Sequence, residues 1–265
     1  MGMSAPTNST ATDVKAPAPT QSVPGSPAYE AEIKHWLEYD TSGSDRLFRL
    51  LMEPLLTFGY RQRAYGIENI PATGAFLMAA NHSSYMDPFF YARPQGRFLR
   101  FMAKSTLMDM PVVGAVTRAG GGFPVRRGKG DAFAMDLAER LLDDGQPVCI
   151  FPEGTRYRQS SALGPSKSGA AILAIKTGLP VIPAATWGSK PPATRSERAF
   201  PLRLPKLTTL YGPPLQFANV EPSRAEITRV RDEIWTEVHR LHALAEQLHE
   251  TRPRTFVVPS SSPKM

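Results

Sequence analysis

A single cysteine, Cys149, leaves no room for a disulfide framework or a multi-cysteine metal site, and such sparse use suits a reducing compartment. No stretch approaches the roughly 18 consecutive apolar residues of a membrane span. Residues 1–20, rich in Ser, Thr, Pro and Ala, contain no apolar core of a secretory signal. The chain is therefore expected on the cytoplasmic side, at most peripheral to a membrane. The sequence has no G-x-S-x-G elbow for a serine nucleophile, no P-loop and no G-x-G-x-x-G turn. Trp36, Trp187 and Trp235 all lie outside its most basic stretch, which argues against a nucleic-acid site built on stacked aromatics. His239, His242 and His249 share a predicted helix but have no cysteine partner, so no metal or other cofactor is expected.

What the sequence does contain is a globular composition. It has 265 residues, 42% hydrophobic and 21% charged, enough to bury a full core and unlike collagen, coiled coil or a wholly disordered chain. Prolines number 26, about twice the usual share. The net charge of +7 is local. Arg93, Arg97, Arg100, Lys104, Arg118, Arg126, Arg127 and Lys129 are opposed in residues 93–130 only by Asp109, and the rest of the chain is neutral. Two readings fit this excess: a site for an anionic partner, or a solvated basic face.

Residues 1–27 read as a disordered arm. Residues 28–63 read as an N-terminal helical segment, with a short helix over 28–40. Within it, 45–63 pairs the apolar run Leu47 to Leu56 with Arg46, Arg49, Arg61 and Arg63. That pattern describes either an amphipathic anchor lying in a membrane interface or a core helix kinked at Pro54. From 64 to 250, short apolar runs at 75–80, 148–151 and 179–185 predict buried strands, and 207–210 (LTTL) could form a late one. Helical periodicity appears at 131–142, at 168–177 (ended by Gly178) and at 221–248. Strands alternating with helices predict a single α/β domain with a mixed, largely parallel sheet flanked by helices. A flexible tail is expected over 251–265.

Two polar clusters directly follow predicted strands, where ligands of α/β sheets gather. The first is Asn81-His82-Ser83-Ser84-Tyr85-Met86-Asp87. A carboxylate on one nitrogen of His82 would free the other as a general base. Pro88 next in line equally suits an Asp87 that merely caps a helix. The second is Pro152-Glu153-Gly154-Thr155-Arg156, where Arg156 offers a fork suited to phosphate or carboxylate and Glu153 can pair with it or meet a substrate hydroxyl.

Taken together, these blocks resemble the glycerolipid acyltransferases of the lysophosphatidic acid acyltransferase type. NHSSYMD resembles that family's N-H-x4-D block, and Phe151-Pro152-Glu153-Gly154-Thr155-Arg156 its most specific block. Gly121-Gly122-Phe123-Pro124-Val125-Arg126-Arg127 resembles a third block, Val181-Ile182-Pro183-Ala184-Ala185 a fourth, and Lys104 a lysine that precedes the third. The resemblance covers roughly residues 60–215. It implies transfer of a fatty acyl group from an acyl-CoA or acyl carrier protein thioester to the sn-2 hydroxyl of lysophosphatidic acid. His82 is implied as base and Asp87 as its partner. Glu153, Gly154 and Thr155 are implied to place the acceptor, and Lys104, Arg127 and Arg156 to neutralise its phosphate. Arg126 stands where the family often has Asp, an added cation. No transmembrane helix precedes the blocks, so membrane contact is expected through 45–63 or a basic face. Acylation of another lysolipid or an amino-lipid is the alternative within enzymes. A non-catalytic basic protein binding lipid or nucleic acid would explain neither cluster.

Overall fold

The computed structural model describes residues 23–39, 54, 59–125, 131–156, 163–189 and 206–260. Among them, seven strands form one sheet: β1 (Arg63–Tyr65), β2 (Leu77–Ala80), β3 (Arg100–Lys104), β4 (Gly122–Val125), β5 (Val148–Ile150), β6 (Val181–Trp187) and β7 (Thr208–Tyr211). Their order is β1-β7-β6-β2-β5-β3-β4. Every pairing is parallel except β6 with β7. This is the expected single α/β domain with a largely parallel sheet.

The central strands are apolar on both faces because helices cover both. Leu77 and Ala79 of β2 point into one core with Val148 and Ile150, whereas Met78 and Ala80 point into the other with Cys149 and Ile182. Prolines sit where a ladder can spare an N–H. Pro124 lies on the edge strand β4. Pro183 lies in β6 between the Ala184–Tyr211 pair and the isolated Val181–Leu215 bridge.

Helices α1 (Pro27–Leu37), α2 (Asp87–Gln95), α3 (Ser105–Met108), α4 (Pro111–Ala119), α5 (Ala132–Asp143), α6 (Gly169–Thr177) and α7 (Arg224–Thr251) pack around the sheet. Asp131 caps α5 through the Ala134 N–H. Gly178, at φ 61°, ends α6 in the left-handed turn that glycine adopts most readily. None of the described helices is long and apolar enough to cross a membrane.

Two segment boundaries need correction. α1 is not separate from the domain expected to begin at 64. Tyr29, Ile33 and Trp36 fall on one helical face and bury into the core of α5 and α6. The Tyr29 hydroxyl donates to Asp136 at 2.8 Å, and Arg140 grips Glu30 with two bonds of 2.9 and 3.1 Å. Nor are residues 252–260 a free tail. Val258 is buried with Tyr65 and Leu248, and the Tyr65 hydroxyl and Arg63 guanidinium both donate to the Pro253 carbonyl. The reason is β1, an edge strand that this segment helps to cover. The 45–63 anchor lies outside the described residues apart from 54 and 59–63, as do residues 1–22 of the predicted arm.

Candidate active site

β2, β5, β3 and β6 run parallel, so their C-terminal ends open on one edge of the sheet. There the two polar clusters meet. Asn81 ties the end of β2 to β6 on two sides. Its side-chain oxygen accepts from Thr186 N–H at 2.9 Å and from the Tyr91 hydroxyl at 2.6 Å, and its amide donates to the Thr186 carbonyl at 3.3 Å. The next residue, His82, is 7% exposed. Its ring lies flat on Phe151, with centroids 4.2 Å apart and planes 19° apart. Its Nδ1 is 3.0 Å from Asp87 Oδ2.

Asp87 is the first residue of α2 rather than its cap. The cap position belongs to Met86, which makes no side-chain bond to the helix. The Asp87 carboxylate instead turns back over its own loop, where Oδ2 accepts from Ser83 N–H at 2.6 Å and Ser84 N–H at 2.7 Å as well as from His82. The loop's N–H groups precede the helix and need an acceptor there, while Pro88 fixes the first turn without one. A carboxylate held this way selects the tautomer with its proton on Nδ1 and leaves the lone pair on Nε2.

Glu153 lies buried against the backbone of His82. It is 5% exposed. Its Oε1 accepts from His82 N–H at 2.7 Å, and its Oε2 from Gly164 N–H at 3.0 Å. The carboxylate thus latches the turn after β5 to the histidine and to the strand of chain entering α6. Gly154, at φ 65°, makes the tight turn that follows. It also leaves room for Lys167, whose Nζ lies 2.7 Å from where a Cβ on Gly154 would stand. Thr155 is exposed on the same turn. Arg156 sets its guanidinium over the Tyr85 ring, 3.4 Å from the centroid, which joins the two clusters face to face.

Beside His82 opens a cavity of about 320 Å³, walled by Met102, Val125, Ala134, Met135, Ile150, Phe151 and Ile172, with Lys167 and Gly154 among its other lining residues. Lys104 is exposed at the end of β3 on this same edge of the sheet. Arg126 and Arg127 lie outside the described residues. They follow Val125, which lines the cavity.

The basic stretch divides into two groups. Arg97 donates to the Pro71 and Gly74 carbonyls at 2.8 and 2.7 Å. Arg100 is 2% exposed under α1 and donates to the Trp36 carbonyl at 3.0 Å; burial lowers its pKa to about 10. Arg118 donates to the Met108 carbonyl at 2.9 Å. These three brace a loop and the C-terminal ends of two helices, so the linear charge excess overstates the cations facing the site. Conversely, the sequence reading passed over Asn81, Tyr85, Phe151 and Lys167. Tyr85 carried a signal, being an aromatic among small polar residues in its turn. Lys167 carried a weaker one, as a lone cation in Gly164-Pro165-Ser166-Lys167-Ser168-Gly169.

Buried Cys149 is no rival nucleophile. Desolvation, and secondarily the negative charge of Asp87, push its thiol pKa far up. The α7 histidines do not converge: His239 meets Trp235, His242 meets Trp187, and His249 meets Thr208.

Residues 61–187 match the family model described as Acyltransferase. A 1-acyl-sn-glycerol-3-phosphate acyltransferase of Bacillus subtilis is 27% identical over 189 residues, covering 70% of this chain and 90% of that protein. A chloroplastic 1-acyl-sn-glycerol-3-phosphate acyltransferase of Brassica napus is 31% identical over 133 residues, covering 49% of this chain and 38% of the relative. The chain thus spans less than two fifths of that relative's length. The crystal structure of the 1-acyl-sn-glycerophosphate acyltransferase PlsC from Thermotoga maritima superposes with a TM-score of 0.53 at 26% identity, covering 81% of this chain and 83% of that one. The family-model match spans the strands that carry both polar clusters, and the chain is similar to acyltransferases, the 1-acyl-sn-glycerol-3-phosphate acyltransferases among them.

Proposed function

We propose that the protein moves a fatty acyl group from an acyl thioester to the sn-2 hydroxyl of lysophosphatidic acid, giving phosphatidic acid, at the cytoplasmic face of a membrane. One observation carries this reading: the His82–Asp87 pair, 3.0 Å apart, stands at an apolar cavity of about 320 Å³. The cavity suits an acyl chain, which leaves the thioester carbonyl near Nε2. The acceptor hydroxyl gives its proton to Nε2 as its oxygen attacks that carbonyl. Asp87 holds the ring and stabilises the imidazolium. The tetrahedral intermediate collapses with breakage of the carbon–sulfur bond, and the imidazolium returns the proton to the departing thiolate. No acyl-enzyme is formed and no cofactor takes part; the thioester of coenzyme A or acyl carrier protein is a co-substrate. Lys104, Arg156 and Lys167, with Arg126 and Arg127, supply positive charge for the acceptor phosphate. Glu153 acts by holding His82 in place.

The test is thiol release by the purified protein with acyl-CoA or acyl carrier protein donors and a panel of lysolipid acceptors. Release that depends on lysophosphatidic acid, forms phosphatidic acid and falls roughly 10²–10⁴-fold in folded His82→Ala is expected. Release with another lysolipid alone would transfer the mechanism to that acceptor. Full turnover in His82→Ala would refute it.

A further inference from the structure

Eight large apolar side chains stand out as exposed among the described residues, and four fall in one short stretch: Met110 (47%), Val112 (75%), Val113 (39%) and Val116 (37%). Val112 and Val116 are one turn apart on α4, with Val113 beside them, so the three valines form a single stripe. The opposite side of the helix is seated firmly. Gly114 is buried so close to α3 that a Cβ would lie 2.2 Å from the Met108 carbonyl oxygen, and the bond from Arg118 to that same carbonyl ties the helix down. The stripe is therefore a fixed apolar ridge facing solvent.

Two features indicate what covers it. Residues 104–130 contain Lys104, Arg118, Arg126, Arg127 and Lys129 against Asp109 alone, so the ridge rises from a positively charged stretch. α4 also connects β3 to β4, the strands that contribute Met102 and Val125 to the cavity beside His82. We propose that α4 docks into the interfacial region of an anionic lipid bilayer. The valines and Met110 enter the acyl boundary, the net positive charge of the stretch favours an anionic surface, and the cavity is thereby turned toward the leaflet that holds the acceptor. This rests on the reading of the acceptor as a lysolipid. The surface is distinct from the 45–63 segment expected to anchor the chain.

The experiment uses the full chain and vesicles of phosphatidylcholine with and without phosphatidylglycerol. Val112→Glu/Val116→Glu alters only exposed positions and should keep its circular dichroism spectrum and melting temperature. Its binding to anionic vesicles should fall at least tenfold, and acyl transfer to lysophosphatidic acid in those vesicles should fall with it. Transfer between short-chain substrates that remain monomeric in water should stay within about twofold of wild type. Val112→Phe should bind anionic vesicles more tightly. Unchanged vesicle binding by the double variant would overturn the proposal. So would an equal loss with monomeric substrates, which would make the ridge part of the site. A loss confined to reactions with acyl carrier protein as donor would overturn it in favour of protein docking. If wild type binds vesicles through α4 but transfers no acyl group, the docking surface stands and the proposed reaction fails.

Discussion

Glu153→Gln separates two tasks that a carboxylate in this position can perform. In the structure two backbone N–H groups, of His82 and Gly164, converge on its two oxygens at 2.7 and 3.0 Å, and the side chain is 5% exposed. Glutamine offers one carbonyl oxygen and one NH2. Either way it turns, one buried N–H faces another donor. A hydrogen bond to a charged acceptor is worth about 1.5–3 kcal/mol, and a buried donor left unpaired costs about 1–3 kcal/mol, so with partial relaxation the net loss should be about 2–4 kcal/mol. For a protein of this size that lowers the melting temperature by about 4–16 °C. Urea unfolding at two wavelengths should show the same loss as a lower midpoint with an unchanged slope. Activity measured well below the new melting temperature should fall in kcat, because the released histidine backbone lets the ring drift from the thioester, while KM for the acceptor moves little. A Glu153→Gln protein as stable as wild type, with KM for the acceptor raised severalfold, would refute the latch and make Glu153 a substrate ligand.

Asp87→Asn should keep the loop, since an amide oxygen in place of Oδ2 still accepts from Ser83 and Ser84. Unfolding should shift by about 1 kcal/mol, while kcat falls roughly 10²–10⁴-fold for want of a negative charge beside the imidazolium. Equal losses in stability and rate would show Asp87 to be structural. Tyr85→Ala removes the platform under Arg156 and should narrow the preference for lysophosphatidic acid over monoacylglycerol, whereas Tyr85→Phe should preserve it; matching behaviour of the two variants would deny the ring that role. Lys167→Met, which keeps the stem over Gly154 and drops the charge, should weaken kcat/KM for the phosphorylated acceptor by about tenfold or more and leave monoacylglycerol unaffected; a uniform loss would count against phosphate contact. Cys149 should resist alkylation and thiol reagents until the protein unfolds, since its burial disfavours the thiolate. Thiol release from the donor can then be followed without background, and rapid labelling of native protein would contradict the buried placement.

How far the sequence could be read depends on what each element exposes of itself. β2, β5 and β6 announced themselves because strands covered on both faces are almost wholly apolar, and β7 through its β-branched Thr208 and Thr209. β3 and β4 did not. Arg100 and Lys104 bracket β3, and Gly122 and Pro124 interrupt β4, so the pair read as part of a basic stretch. That Arg100 is buried under Trp36 depends on the end of α1 reaching β3, a contact between residues 64 positions apart that no local pattern encodes. His82 and Asp87 were legible because they share one tight turn. The role of Glu153 was not, since its second partner is a backbone N–H at Gly164 that leaves no trace in residue type.

The locks around His82 also link activity to folding. Its backbone is held by Glu153, 71 residues away, and its neighbour Asn81 by Thr186, 105 residues away. Contacts of such long range form only once most loop entropy has been spent. No partly folded chain therefore presents a competent histidine. Loss of turnover on heating should coincide with loss of tertiary structure, and fragments ending before β6 should be inert even where they retain helix.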